Sequence, residues 1–330
     1  MPVSSKNKKI SILIAARNEE HNIKNVLISV ANLSYPKERL EVLIGDDNST
    51  DNTAEIIHAF IQNKPYMQLI SVRESTNELK GKTNVLLQLI EQATGEYYFF
   101  TDADITLPAT WVEHMLAAFK ENVGVVVGST TTKPVSVFAR CQGIEWLNVL
   151  NFIEFCGRFN IPTTGMGNNM AVSKSAYEAV GGYEGIPFSI VEDYALYNAV
   201  VKKGFGFQHL YNEKVLAFTE PPENYFRQRK RWVTGGVQSR SPLLIAAFAQ
   251  ALLLPIICAL FLTNMIIGQL FLFIALSLNM LIGFLSLRKI GLTKWATYLP
   301  AYSVYVIIFW FLQLINFILP GGLKWKDRKY

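Results

Sequence analysis

Read as a string of apolar and polar positions, the chain changes character near residue 240. Before that point, short apolar runs alternate with segments whose apolar residues recur every three or four positions. Residues 10–14 form a run of the first kind. In 19–30, Ile23, Val26, Leu27 and Val30 fall at i, i+3, i+4 and i+7, the spacing of a helix with one buried face. The same reading gives strands at 40–44, 67–72, 97–101 and 123–129, and helices at 53–61, 83–92 and 110–120. Asn52, three positions ahead of Glu55, is a capping signal for the second helix. Strands and helices alternating at this spacing predict βαβ units, hence an α/β fold with a Rossmann-like, mostly parallel sheet and helices on both faces. No internal repeat interrupts the pattern.

Beyond residue 240 the alternation stops. Neither 241–287 nor 296–323 contains a charged residue, and both stretches exceed the roughly 20 residues that cross a bilayer. The first must fold back on itself, with Thr263-Asn264 as its turn. The expected organisation is a domain over 1–240 with an interfacial segment at 221–240, a transmembrane region over 241–323 with spans at 243–262, 265–287 and 297–319, and a basic tail at 324–330.

Composition agrees with this division, since 50% of the residues are hydrophobic and 17% charged. The net charge of +5 is modest, and its cations flank the apolar stretches: Arg227, Arg229, Lys230, Arg231 and Arg240 before the first, Arg288, Lys289 and Lys294 between them, Lys324, Lys326, Arg328 and Lys329 after the last. The positive-inside tendency places the first two groups in the cytoplasm. Residues 1–9 are polar and basic without the apolar core of a secretory signal, so the domain is expected to be cytoplasmic and the chain a multi-pass protein of the plasma (inner) membrane. Three spans conflict with the tail, whose charges favour the side that three crossings would leave, unless one apolar segment is interfacial or re-entrant. Cys141, Cys156 and Cys258 supply neither a disulfide framework nor a zinc spacing, and His21, His58, His114 and His209 have no ligand spacing. The cations lack the stacking platform of a nucleic-acid binder. G-x-G-x-x-G, Walker A and G-x-S-x-G motifs are absent, which removes the marks of dinucleotide oxidoreductases, P-loop ATPases and α/β-hydrolases.

Candidate chemistry begins at Tyr97-Tyr98-Phe99-Phe100-Thr101-Asp102-Ala103-Asp104, a buried-strand pattern ending in two carboxylates. That is where open α/β sheets place their ligands, and with a bend at 101–103 both acids approach one hard cation, Mg2+ or Mn2+. Two solvated acids in a turn is the competing reading. Asp46, Asp47 and Asp51 lie in the polar turn after the second strand, as acceptors for a base or ribose or as helix caps. Lys80-Gly81-Lys82 opens the third helix, a setting suited to a phosphate or to solvated lysines. Glu192-Asp193 precede a helical segment ended by Lys202-Lys203-Gly204, so the helix dipole is expected to lower the Asp193 pKa unless desolvation or Glu192 raises it. The turn at 163–170, with Gly165, Gly167, Asn168 and Asn169, suits sugar hydroxyls or is a plain connection.

These motifs together resemble glycosyltransferase family 2, inverting nucleotide-sugar transferases of the GT-A fold. The resemblance covers about residues 8–240. It rests on Ala15-Ala16-Arg17-Asn18-Glu19-Glu20, Asp46-Asp47-Asn48-Ser49-Thr50-Asp51, Gly81-Lys82, Asp102-Ala103-Asp104, Val191-Glu192-Asp193 and Gln228-Arg229-Lys230-Arg231-Trp232, the last matching the Q-x-x-R-W pattern of membrane-bound members. It implies that Glu19, Asp46 or Asp47, and Lys82 hold the nucleotide of a donor such as a UDP-sugar, with Gln228 and Arg231 near its diphosphate. Asp104, aided by Asp102, would bind the metal; Asp193 would be the catalytic base; Glu192 and Trp232 would serve the acceptor. The expected activity is transfer of a sugar to a membrane lipid or lipid-linked acceptor, the partner being a lipid or a glycan. The alternatives are a processive polysaccharide synthase and a catalytically silent membrane scaffold.

Overall fold

The computed structural model describes residues 7–74, 79–187, 189, 191–222, 224–238, 243–319, 324–325 and 328–329. The chain forms two compact units, Met1–Thr130 with Ile153–Glu220, and Thr131–Phe152 with Pro221–Tyr330.

In the first unit the hydrophobic runs become strands covered on both faces. Along β1 (Ile10–Ala16), Ile10, Ile12, Leu13 and Ile14 are wholly inaccessible, which only a central strand with helices on either side achieves. Successive side chains point to opposite faces. Ile10, Ile12 and Ile14, with Val42 and Ile44 of β2 (Leu40–Asp46), pack against α1 (Ile23–Ala31) and Ile57 of α2 (Thr53–Ile61). Leu13 and Leu43 face the other way, toward Ile70 of β3 (Met67–Ser71) and Val85, Leu86 and Leu89 of α3 (Lys82–Gln92). β4 (Tyr97–Asp102) divides likewise, Phe99 to the first layer and Tyr98 and Phe100 to the second. Each such fully buried side chain contributes about 1.5–3 kcal/mol.

After β4 come β5 (Ile105–Thr106), α4 (Trp111–Ala117), β6 (Val123–Val127), β7 (Ser129–Thr132) and a long α5 (Val137–Arg158). β8 (Met170–Ser173), α6 (Lys174–Ala179), α7 (Glu192–Lys202), β9 (Gly206–His209) and β10 (Leu216–Thr219) complete the run to the second unit. The main sheet has the order β3-β2-β1-β4-β8-β6-β9, and β5-β10-β7 form a second, small sheet. Within the main sheet β8 runs antiparallel to both β4 and β6, and the remaining pairs are parallel. The α/β sheet expected from the sequence is therefore present with one reversed strand.

Local differences have identifiable causes. The first helix starts at Ile23 because residues 19–22 form a turn in which Glu19 O accepts the Asn22 and Ile23 amides. Asn52 makes no side-chain cap on α2; Asp51 does the work, its carboxylate accepting the Thr53 amide at 3.0 Å, while Asn52 donates to Glu20. The segment 123–129 is two strands. α5 escapes the apolar-period test because Gln142, Glu145, Asn148 and Asn151 place polar groups on one side of it.

The second unit gathers the first part of α5 with α8 (Tyr225–Gln238), α9 (Leu243–Ala251), α10 (Leu253–Thr263), α11 (Met265–Lys289) and α12 (Leu299–Ile318). The expected first span is two helices. Pro255 cannot donate to the carbonyl four residues back and crowds it, and the break at Leu252 follows. Asn264 supplies the expected turn, its side-chain oxygen accepting the Ile266 and Ile267 amides at 3.0 and 3.1 Å to cap α11. Three segments, Leu243–Thr263, Met265–Lys289 and Thr293–Ile318, are long and apolar enough to cross a membrane. Arg240 and Lys326, counted among the flanking cations, lie outside the described residues.

Candidate active site

The sheet register decides what meets what. Ala16 of β1 pairs with Asp46, and Ala15 with Asp102, so both acids stand at the carboxyl end of neighbouring parallel strands. Because β8 runs antiparallel and its Met170 pairs with Phe100, the loop 163–169 that precedes it arrives at the same edge. Asp102 closes β4, residues 103–104 turn, and Ile105 begins β5, which supplies the bend that lets Asp104 approach from the next strand. Gly81 adopts φ 60°, a conformation that suits glycine, and from it α3 starts with Lys82 as its first residue.

Lys82 is the centre of the charge cluster. Its Nζ lies 2.6 Å from Asp102 Oδ1 and 3.0 Å from Glu192 Oε1. Burial opposes its charge, but Asp102, Glu192 and Asp193 together hold its pKa well above the ordinary lysine value. Asp193, the second residue of α7, accepts the Gly167 amide on Oδ2 at 2.6 Å and the Tyr194 amide on Oδ1 at 2.7 Å. Those donors and Lys82 favour its charged form, as the helix start predicts. Burial and the neighbouring Glu192 outweigh them, and the carboxyl titrates at about 6. Asp104 also rises to about 6, through burial first and then the charges of Asp102 and Glu19, against the hydrogen bond that Thr219 Oγ1 donates to its Oδ2 at 2.8 Å.

Gly165 and Gly167 are glycines for steric reasons. A Cβ on Gly165 would sit 2.6 Å from Asp193 O, and one on Gly167 would lie 3.0 Å from Asp193 Cβ and 3.3 Å from both Asp193 Oδ2 and Lys82 Nζ. His209 steadies the loop: its Nε2 lies 2.8 Å from Thr164 O, and burial lowers its pKa to about 4, so the ring is neutral. Asn169 is wholly buried, with its amide donating to Ser129 O and Val215 O and its oxygen accepting from Trp111 Nε1. Its side chain thus pins the loop from inside the fold, which at Asn169 favours the plain-connection alternative over a contact with sugar hydroxyls.

At the β1–β2 edge, Glu19 accepts from Asn22 Nδ2 at 3.0 Å, and Asp46 accepts from Ser49 Oγ at 2.5 Å. Asp47 is buried, 3.7 Å from the Arg17 guanidinium, which also donates to the Asp47 carbonyl. Asp51 is a structural cap. Burial works against its charge, yet hydrogen bonds from Thr53 and Glu20 hold it below the usual carboxylate range. Asn18 and Asn48 take positive φ in the two facing loops, and Asn18 Oδ1 accepts the Thr50 amide at 2.9 Å.

The remaining predicted residues are on α8, in the second unit. Tyr225, Arg229 and Trp232 recur at helical spacing and share its packed face. Arg229 donates to Glu145 Oε2 of α5 at 2.9 Å, with both side chains largely buried, and its guanidinium lies 5.3 Å from the Tyr225 ring and 4.8 Å from the Trp232 ring. Tyr305 of α12 donates to the same carboxylate at 2.8 Å. Trp232 also packs against Trp146 in a tilted arrangement, ring centroids 5.0 Å apart. Gln228 and Arg231 are half-buried on the flanks of this face.

The sequence matches Glycosyl transferase family 2 over residues 11–181 and Glycosyl transferase family group 2 over residues 99–325. The chain belongs to the family 2 glycosyltransferases. This glycosyltransferase is 31% identical over 237 residues to poly-beta-1,6-N-acetyl-D-glucosamine synthase of Staphylococcus epidermidis, a match covering 69% of this chain and 54% of the relative. With the beta-monoglucosyldiacylglycerol synthase of Synechocystis sp. it shares 29% identity over 246 residues, 70% of this chain and 48% of the relative. The chain thus spans about half the length of the curated relatives it matches. Its fold resembles that of the mannosyltransferase PcManGT from Pyrobaculum calidifontis, solved in complex with GDP-Man and Mn2+, with a TM-score of 0.57 at 19% identity over 91% of this chain and 87% of that one. The fold is of the GT-A type.

The donor set of the glycosyltransferase fits a divalent metal. Among the described residues no three His, Cys, Asp or Glu side chains converge as a ready site. Asp102 and Asp104 offer two hard oxygen donors, and the burial and the charges of Asp102 and Glu19 that raise the Asp104 pKa make a setting in which a cation is favoured. A cation taking its other ligands from a diphosphate matches that arrangement. Thr219, Gly165 and Gly167 were not picked out as carboxylate partners from the sequence. Thr219 acts through the β5–β10 pairing of Thr219 with Ile105, which no local pattern announces.

Proposed function

We propose that this glycosyltransferase moves a sugar, with inversion, from a nucleotide-sugar such as a UDP-sugar to a membrane lipid or lipid-linked acceptor. The observation that carries the reading is a buried carboxylate, Asp193, titrating near neutrality beside Lys82, whose ammonium also pairs with Asp102 at the sheet edge. Asp193 takes the acceptor hydroxyl proton as that oxygen bonds to the anomeric carbon. The bond from that carbon to the diphosphate oxygen breaks, and the diphosphate leaves with the electron pair. Asp102 and Asp104 would hold Mg2+ or Mn2+, which when bound supplies charge for the leaving diphosphate. A fold neighbour solved with GDP-Man and Mn2+ supports this pairing of ligands. Glu19 and Asp46 or Asp47 bound the nucleotide side, and Lys82, released from Asp102, offers its charge to phosphate.

Gln228 and Arg231 are assigned to the diphosphate, and Trp232 and Glu192 to the acceptor. The apolar helices attach the enzyme to the plasma membrane, with the catalytic unit in the cytoplasm. A relative that acts as a monoglucosyldiacylglycerol synthase supports a lipid acceptor. A polysaccharide synthase among the relatives favours a second reading, processive polymer synthesis. The test is a screen of nucleotide-sugars against purified protein in lipid vesicles, followed by mass analysis of the lipid fraction. One added hexose on a lipid supports the first reading, a polymer ladder supports the second, and turnover of no donor refutes both.

A further inference from the structure

Both sides of α12 are informative. One face presents Val304, Ile308, Leu312 and Ile315, all exposed, at helical spacing. A second face is polar and occupied: Tyr302 OH accepts from Asn148 Nδ2 at 2.7 Å, Tyr305 OH donates to Glu145 and lies 3.0 Å from Tyr225 OH, and Asn316 Nδ2 donates to Phe226 O at 3.0 Å. The helix also packs against α9, α10 and α11, with Ser303, Val306 and Ile307 buried. Lys230 Nζ donates to Leu319 O, just past the end of the helix, at 2.6 Å. Phe309 stacks on Phe226 between these contacts.

The partners of the distal part, Phe226 and Lys230, belong to α8, which carries Arg227, Gln228, Arg229, Lys230 and Arg231 in succession. Such a run of cations does not enter hydrocarbon. From Tyr305 to Leu319 the helix rises about 21 Å at 1.5 Å per residue. Were α12 upright with Tyr305 at the headgroups, Leu319 would be past the midplane of an apolar core about 30 Å thick. It would then be out of reach of a lysine on α8, yet Lys230 touches it. At the other end α11 returns to the same level, where Lys289 Nζ donates to Asn151 Oδ1 of α5 at 2.9 Å.

We propose that α12 does not cross the bilayer: it lies in the interfacial plane of the leaflet beside α8, its Val304–Ile315 face among the acyl chains and its tyrosine face on α5 and α8. The chain then crosses twice, through 243–263 and α11, and the residues after Leu319 begin on the side of α8. Lys324, Lys326, Arg328 and Lys329, which follow in the sequence, are then on the side that the positive-inside tendency favours. The inference rests on the membrane attachment proposed above and resolves the charge conflict of a third span. An amphipathic helix with one apolar face, bedded at the boundary, is a stable way to seat such a sequence.

The experiment is spin-label depth measurement on the full chain in vesicles of phosphatidylcholine and phosphatidylglycerol, with Cys258→Ser as background. Val304→Cys and Ile315→Cys lie on one face eleven positions apart. An interfacial α12 gives both labels, and a third at Ile308→Cys between them, the same shallow depth within about 5 Å; in a spanning helix Ile308→Cys, mid-way along α12, lies near the bilayer midplane while the other two lie toward opposite surfaces, which overturns the proposal. Leu278→Cys, mid-way along α11, is the control, and a shallow label there refutes the membrane attachment itself. As a second measurement, Lys329→Cys in sealed vesicles of one orientation is expected to react with an impermeant maleimide together with Arg288→Cys and opposite to Thr263→Cys. Reaction together with Thr263→Cys overturns the proposal.

Discussion

Replacing Asp193 by Asn should make the protein more stable and nearly inactive, and the two effects should separate with pH. Burial and Glu192 raise the Asp193 carboxyl from 3.8 to about 6. At about 1.4 kcal/mol for each pH unit, the ionised form costs the fold about 3 kcal/mol at pH 8. The folded pKa exceeds the unfolded one, so the folded state binds more protons between 3.8 and 6. The contribution of Asp193 is fully favourable below 3.8 and is lost as pH rises through about 6. Asn escapes this cost but leaves one of the Gly167 and Tyr194 amides without a good acceptor, a loss of about 1–2 kcal/mol. The expected net gain is about 1–2 kcal/mol at pH 8, falling to nothing or reversing at pH 4. Initial rates should drop by about 10²–10⁴-fold at every pH, with donor binding by titration calorimetry retained. The wild-type rate should climb with pH through about 6 and then level. Thermal unfolding in detergent at pH 4, 5 and 8 checks the stability arm. A gain that is the same at all three, or a rate within about tenfold of wild type, refutes the assignment.

Asp104→Ala should lower turnover by at least about 10²-fold, and a chelator should do the same to the unaltered enzyme; full activity in either case removes the metal from the scheme. Gly167→Ala presses a methyl against Asp193 and Lys82, so it should lower kcat about tenfold or more with the fold intact by circular dichroism. Glu145→Leu and Arg229→Met should each cost about 3–5 kcal/mol by leaving a buried charge unpaired, whereas the double substitution should recover most of that loss in chemical unfolding.

The strands and helices of the first unit were legible because their apolar periods are strong and uninterrupted, as in 10–14 and at Ile23, Val26, Leu27 and Val30. α5 was not, since its buried face carries Gln142 and Glu145, and the partners of Glu145, Arg229 and Tyr305, come from far along the chain. β8 was hidden in a stretch of only four residues, Met170–Ser173, and its reversed direction depends on pairing with β4 and β6. At the site, Asp102, Glu192, Asp193 and Lys82 were all nameable in advance, and the structure gathers them around one ammonium. That Lys82 is engaged by Asp102 and Glu192 could not be read from Gly81-Lys82. The protonation of Asp193 was open as well: the opposing influences were visible in its place at a helix start beside Glu192, but which wins depends on how deeply the fold buries it.

The two units manage buried charge in opposite ways, and the contrast separates structure from chemistry. In the second unit Glu145 meets one arginine and a tyrosine hydroxyl, so the pair is balanced and binds α5, α8 and α12 to one another. In the first, Asp102, Glu192 and Asp193 surround the single cation Lys82, and Asp104 lies nearby with a pKa of about 6. Hydrophobic packing of β1 and β4 holds that excess of negative charge in place although it opposes folding. A site that stores unbalanced carboxylates has something to gain from a cation, and a diphosphate brought with the cation can in turn draw on Lys82. Donor and metal together should therefore stabilise the first unit more than the separate effects of each would suggest, because each relieves the repulsion that the other would create alone.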